Sequence, residues 1–233
     1  PDFSENNTFL VTDWFAHTPQ EVVAANFRKT ISEIAAFPDG EKYIFKGNVP
    51  GPLAEVTRPT PEGPVPSPFS LHMDTVPVIE SEAGRVRIVD VHNFPASKTI
   101  SASFVEIEPG GMRELHWHPK AEEWQYYIQG KARMGVFNSS GVARTFNYTA
   151  GDVGIVPQCA GHYVQNIGDE RVIYVEIFKY PEYSDISARK WLGSTPAQNV
   201  ADHLNVSTEF VESLPRNDTP APVVWFDRSK IRG

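Results

Sequence analysis

The chain has 233 residues, 40% of them hydrophobic and 12% aromatic, with a formal charge of −8. That is enough for one substantial core, too acidic for a nucleic-acid partner, and without any apolar run near the roughly 20 residues that span a bilayer. Pro 20 and Gly 16 imply many turns, and the single cysteine, Cys159, excludes an internal disulfide while saying nothing of compartment.

The first residues, Pro1-Asp2-Phe3, are neither a Met nor a signal peptide, so the true start of the protein is not in view. Ser4-Glu5-Asn6-Asn7-Thr8 is, taken alone, a polar loop without assigned chemistry. Thr18-Pro19-Gln20-Glu21 combines an N-cap, a proline at the first helical position and a carboxylate three residues after the cap, which predicts a helix toward Phe27. Dense proline and glycine after Lys46 predict a linker over 46–70. Nine short strands follow, at 85–90, 101–107, 113–117, 123–129, 133–137, 144–148, 152–156, 163–166 and 171–178, near-regular in spacing and punctuated by turns. Such a run predicts a mainly β fold, a barrel or sandwich over 71–180, with helices only outside it. Residues 181–233 form a helical extension in which Thr195-Pro196-Ala197-Gln198 repeats the first helix start. The repeat is wider than the cap: Trp14 to Pro19 aligns with Trp191 to Pro196, and the same offset of 177 joins Val23 to Val200, Ala24 to Ala201 and Phe27 to Leu204. In the second copy the helix follows a barrel, so the first is expected to belong to the end of a preceding barrel, with 1–45 as its remnant.

Inside the strand block, His116-Trp117-His118 places two imidazoles on one face of a strand, because side chains alternate. Glu123 follows across Pro119 and a short turn, at the start of an aromatic strand, and His162 arrives on a separate strand entered through Gly161. Three imidazoles and a carboxylate suit one metal ion with about two open positions on a six-coordinate centre; without thiolates a structural zinc is disfavoured, and Mn, Fe, Ni or Zn all fit. Glu176 is a carboxylate among apolar neighbours, where burial raises its pKa and suits either proton transfer or a structural pairing with Arg113. Arg113 itself precedes His116 by three and belongs on the opposite pleat of a regular strand. Cys159, in the turn before His162, reads as a small buried filler.

These segments resemble the paired motifs of the cupin superfamily, a small jelly-roll β-barrel here flanked by α-helices. Met112 to Pro119, Glu123 to Ile128 and Ala150 to Gly154 are similar to the second cupin of two-cupin oxalate decarboxylases, and the resemblance runs over nearly the whole chain. It implies Mn2+ on His116, His118, Glu123 and His162, with dioxygen as a required participant that is not consumed. It also implies that Arg113 lies beside the metal to hold a substrate carboxylate, and that Glu176 matches a glutamate proposed as proton donor. Phe3 to Leu10 resembles the mobile lid over the family's first metal site, which makes Glu5 the proton-handling residue there and favours decarboxylase over oxidase. The 177-residue offset takes Glu5 to Glu182, in Tyr180-Pro181-Glu182-Tyr183, where the lid wording is lost; the second site is expected to lack an equivalent lid.

The resemblance thus implies conversion of oxalate to formate and carbon dioxide, an upstream cupin domain in the same protein, and a homo-oligomer, trimeric or hexameric. The alternatives are an oxalate oxidase releasing carbon dioxide and hydrogen peroxide, and a non-catalytic metal-binding or storage cupin. Sequons at Asn6, Asn138, Asn147, Asn205 and Asn217 point to an N-glycosylated eukaryotic protein, fungal in type, secreted to the extracellular space or vacuolar.

Overall fold

The computed structural model describes residues 10–56, 63, 68–216, 222–227 and 229, which divide between a unit up to Pro64 and a unit from Val65 onward. The first unit carries α1 (Val11–Ala16), α2 (Gln20–Phe27), α3 (Ile31–Ile34) and, within the proline-rich stretch, a single helical turn α4 (Leu53–Val56). Val23, Ala24 and Ile34 form its small core, with Phe15 packed against them.

The second unit is the barrel. Its strands are β1 (Ile79–Ser81), β2 (Gly84–Val89), β3 (Ser101–Ile107), β4 (Gly111–Trp117), β5 (Glu123–Gln129), β6 (Lys131–Phe137), β7 (Ala143–Thr149), β8 (Val153–Val156), β9 (Gly161–Asn166), β10 (Val172–Phe178), β11 (Ile186–Ser187) and β12 (Val223–Trp225). One antiparallel sheet runs β1-β2-β3-β10-β5-β8 and the other β11-β4-β9-β6-β7, with β12 also paired to β4. All nine expected strands are present within a few residues. The alternation in β5 shows why: Glu123, Gln125 and Tyr127 are buried while Trp124, Tyr126 and Ile128 are exposed. Gly130 makes the tight β5–β6 connection at φ +84°, where a Cβ would approach the Arg171 carbonyl oxygen to 2.7 Å.

Along the barrel axis the interior changes from polar to apolar. On β9 His162 gives way to Val164, ahead of the buried amide of Asn166, and on β10 Glu176 gives way to Tyr174 and Val172. Val86, Val105, Ile107, Ala132, Met134, Val164 and Val172 fill the apolar part. This continuous hydrophobic cluster holds the polar end in shape, each buried aliphatic side chain contributing about 1.5–3 kcal/mol.

After the barrel come α5 (Ala188–Ser194), α6 (Ala197–Leu204) and α7 (Thr208–Glu212). The extension is therefore not helical alone, since β11 and β12 return to the edge of β4; two- and three-residue strands carry too little periodicity to be seen in sequence. The internal repeat is structural. Arg28 and Asn205 both end a helix in the left-handed region (φ 53° and 54°), and Thr30 and Ser207 both cap the next one through a side-chain oxygen. Val200, Ala201 and Val211, with Leu192, reproduce the core of Val23, Ala24 and Ile34 with Phe15. The expected cap chemistry is different, however. The hydroxyls of Thr18 and Thr195 each donate to a carbonyl four residues back, Trp14 and Trp191, at 2.8 Å, and neither accepts from the following helix, which starts after the proline.

Candidate metal centre

His116, His118, Glu123 and His162 come together, all buried, with their ligand atoms within 4.8 Å of one another. Each imidazole is held from behind by the main chain: the Nδ1 atoms of His116, His118 and His162 lie 2.7, 2.8 and 3.1 Å from the carbonyl oxygens of Glu114, Ser184 and Ala160. A carbonyl only accepts, so each Nδ1 carries the proton and each Nε2 turns a lone pair into the cavity. Glu123 Oε2 sits 2.9 Å from Nε2 of His118 and 2.8 Å from Nε2 of His162. Lone pairs this close repel unless a cation lies among them. The three Nε2 atoms and Oε2 are buried without a hydrogen-bond partner, and such a cost is tolerated where a metal satisfies all four. The donor set of three imidazoles and one carboxylate oxygen thus fits a divalent transition metal.

Burial pushes the Glu123 carboxyl up, but the adjacent His162 and His118 imidazoles outweigh it and hold Glu123 well below the usual range. Burial lowers His118, yet the neighbouring Glu123 carboxylate wins and raises it. His116 has no such partner, and burial followed by the charge of Arg113 lowers it well below the ordinary imidazole value.

Arg113 faces inward after all. A register shift between Arg113 and His116 in the β4–β9 pairing adds the residue that breaks strict alternation. Its buried guanidinium donates through Nη2 to Asp185 Oδ2 at 2.7 Å and to the Tyr183 hydroxyl at 3.0 Å. Burial opposes its charge, but Tyr183 and Asp185 more than compensate and its pKa is raised. Glu114, pushed outward by the same shift, is buried against Arg189 of α5.

Glu176 accepts hydrogen bonds from the Ser103 hydroxyl and, at 3.0 Å, from Tyr174. The ion pair of Arg113 is with Asp185, so the structural pairing of Glu176 with Arg113 is replaced by these hydroxyls. Burial, then the negative charge of Glu123, raises the Glu176 pKa. Glu182 is half-exposed instead, 2.9 Å from Lys120 Nζ and 3.9 Å from His92 Nε2. Glu5 and the sequons at Asn6 and Asn217 lie outside the described residues. Cys159 is exposed, not the buried filler expected, because it occupies a turn at φ 63° whose amide donates to the His118 carbonyl.

A two-sheet antiparallel barrel enclosing three histidines and a glutamate defines a metal-binding β-barrel protein. The chain belongs to the cupin family: a family model described as Cupin matches residues 72–212. It is 53% identical to the oxalate decarboxylase of Bacillus subtilis over 94% of this chain and 57% of that protein, and 39% identical to an oxalate decarboxylase of Arthroderma benhamiae over 92% and 51%. A structure of the Bacillus subtilis enzyme superposes with a TM-score of 0.88 over 96% of this chain and 58% of that one. The oxalate decarboxylase formate complex from Lactobacillus farciminis, 61% identical, superposes at 0.86 over 92% and 64%. The chain therefore spans somewhat more than half the length of these relatives.

Proposed function

We propose that this chain is part of an oxalate decarboxylase, converting the oxalate monoanion to formate and carbon dioxide with Mn2+ and dioxygen. The observation that carries the reading is the convergence of four unpartnered ligand atoms in a chain that is 53% and 61% identical to two enzymes of that name. A further structure of the Bacillus subtilis enzyme concerns its Mn(II) centres, which supports manganese among the metals the ligands permit. The metal, held by His116, His118, Glu123 and His162, supplies electrostatic stabilisation and redox chemistry when bound.

The chain's own residues shape the rest. Arg113 provides a fixed buried positive charge toward which a substrate carboxylate is drawn. Glu176, its pKa raised by burial, is the carboxyl we assign to proton delivery as carbon dioxide departs. Asp185 and Tyr183 already occupy Nη2 of Arg113, however, and a carboxylate substrate has to compete with them. This favours assigning turnover mainly to Glu5 and a metal site in an upstream cupin of about 150 residues, with the barrel described above as the second site. The whole protein is then a homo-oligomer of two-cupin chains.

The exposed positions of Asn138, Asn147 and Asn205 suit N-glycans on a secreted or vacuolar fungal protein. No helix of the described residues is long and apolar enough to cross a membrane. Metal analysis with parallel formate and peroxide assays on the purified protein tests the proposal. Manganese with formate as the main product is expected; hydrogen peroxide in step with oxalate consumption would establish the oxidase instead.

A further inference from the structure

Glu123 presents only one oxygen to the imidazoles. Oε2 lies against His118 and His162, whereas Oε1 accepts a hydrogen bond from Gln125 Nε2 at 2.5 Å. The amide cannot be turned around, because its oxygen beside a carboxylate would repel. Its Oε1 must therefore face the other way, where it accepts from the Tyr127 hydroxyl at 2.7 Å. Tyr127 is fully buried, stacked on Tyr148 at a centroid separation of 4.5 Å and on Tyr174 at 5.2 Å, so the hydroxyl is anchored by an aromatic pile. Space for the amide comes from the paired strand. Gly154 is the cross-strand partner of Gln125, and a Cβ there would come within 2.9 Å of Gln125 Oε1.

We propose that Gln125 is a positioning residue that fixes how Glu123 coordinates: by holding Oε1 back, it makes the carboxylate a one-oxygen ligand and keeps a second coordination position free for a small exogenous ligand. A carboxylate freed from this bond can rotate both oxygens onto a cation. On a six-coordinate ion the three imidazoles and one oxygen leave about two positions, and a two-oxygen glutamate leaves about one. Tyr127 and Gly154 act one step further out, the first by orienting the amide and the second by leaving it room. The inference rests on the metal reading of the four ligands and is indifferent to whether this barrel turns over oxalate.

The full chain loaded with Mn(II) provides the test, through water-proton relaxation, which counts exchangeable water on the ion, alongside metal titration and thermal melting in chelator. Gln125→Leu is expected to lower the bound-water number from about two to about one and to change Mn(II) affinity by roughly 10–100-fold. Tyr127→Phe and Gly154→Ala should shift both readouts in the same direction by less, and they carry the test if the leucine variant does not fold. Parent-like relaxation and affinity in the variants, with only the metal-free melting point lowered, would assign Gln125 to packing and overturn the inference. A parent chain that binds no Mn(II) would instead overturn the metal reading itself.

Discussion

The β4–β9 wall brings His116, His162 and Arg113 to the barrel interior, with His118 just beyond β4; the β3–β10–β5 wall facing it brings Ser103, Glu176, Glu123 and Gln125. The first wall is basic and its imidazoles are fixed by main-chain carbonyls; the second is acidic and its carboxylates are fixed by side chains. The difference teaches where the site can be tuned. Backbone anchors survive replacement of the residues that bear them, so the imidazoles move only if the strands move. Side-chain anchors can be removed one atom at a time, so the carboxylates are the adjustable half.

Removing a member of the basic wall should have the largest effect. His118→Ala deletes a ligand outright and should weaken metal binding by more than the roughly 10–100-fold typical of outer-shell changes. Metal content equal to the parent's, measured after dialysis, would break the contrast at its strongest point. Next is Asp185→Ala, which strands the buried Arg113 charge and should cost about 3–5 kcal/mol in chemical denaturation. A loss of under about 1 kcal/mol, typical of exposed pairs, would show that Arg113 has another counter-charge.

Acidification probes both walls at once. In the metal-free site Glu123 raises His118 above the ordinary imidazole value, so a proton competes with metal from a higher pH than usual. Below that point affinity should fall about tenfold per pH unit for each proton that metal must displace. A titration flat down to pH of about 5, well under the imidazole range, would contradict this.

The smallest effect belongs to the acidic wall. Glu176 is raised in the folded chain, so it favours folding below the unfolded carboxyl value near about 4.3, and that advantage is lost as pH rises through the folded value. Glu176→Gln stays neutral throughout. Between the unfolded carboxyl value and the folded one, its metal-free melting point should therefore decline less than the parent's; parallel curves across that window would mean that Glu176 titrates normally.

Much of this was legible in the chain. Period-two alternation marked the nine short strands and put His116 with His118 on a common face. Gln125 was overlooked all the same, because an amide is a poor candidate ligand and its role appears only once Glu123 has a defined second oxygen. Arg113 was misplaced by the same alternation, since a strand bulge leaves no compositional trace. Tyr183 and Asp185 sit in irregular chain after β10, where no period exists to aim them. The capped-helix repeat was visible through Trp14 and Trp191, but the threonines beside them close the preceding helix instead of opening the next.

The edge strand β12 gives the barrel a mechanical reporter. Val223 pairs with Arg113 and Val224 with Met112, on the strand that ends in the His116–His118 pair. Whatever locks β4 in place also shortens the time the β4-facing amide of Val224 spends open to water. Any ligand that binds only the closed arrangement deepens that protection by RT ln(1 + [L]/Kd), about 2.7 kcal/mol when present at a hundred times Kd. Deuterium uptake at Val224, whose amide faces β4 in the alternating ladder, thereby becomes a clock for occupancy of the centre, readable at a strand where no ligand resides.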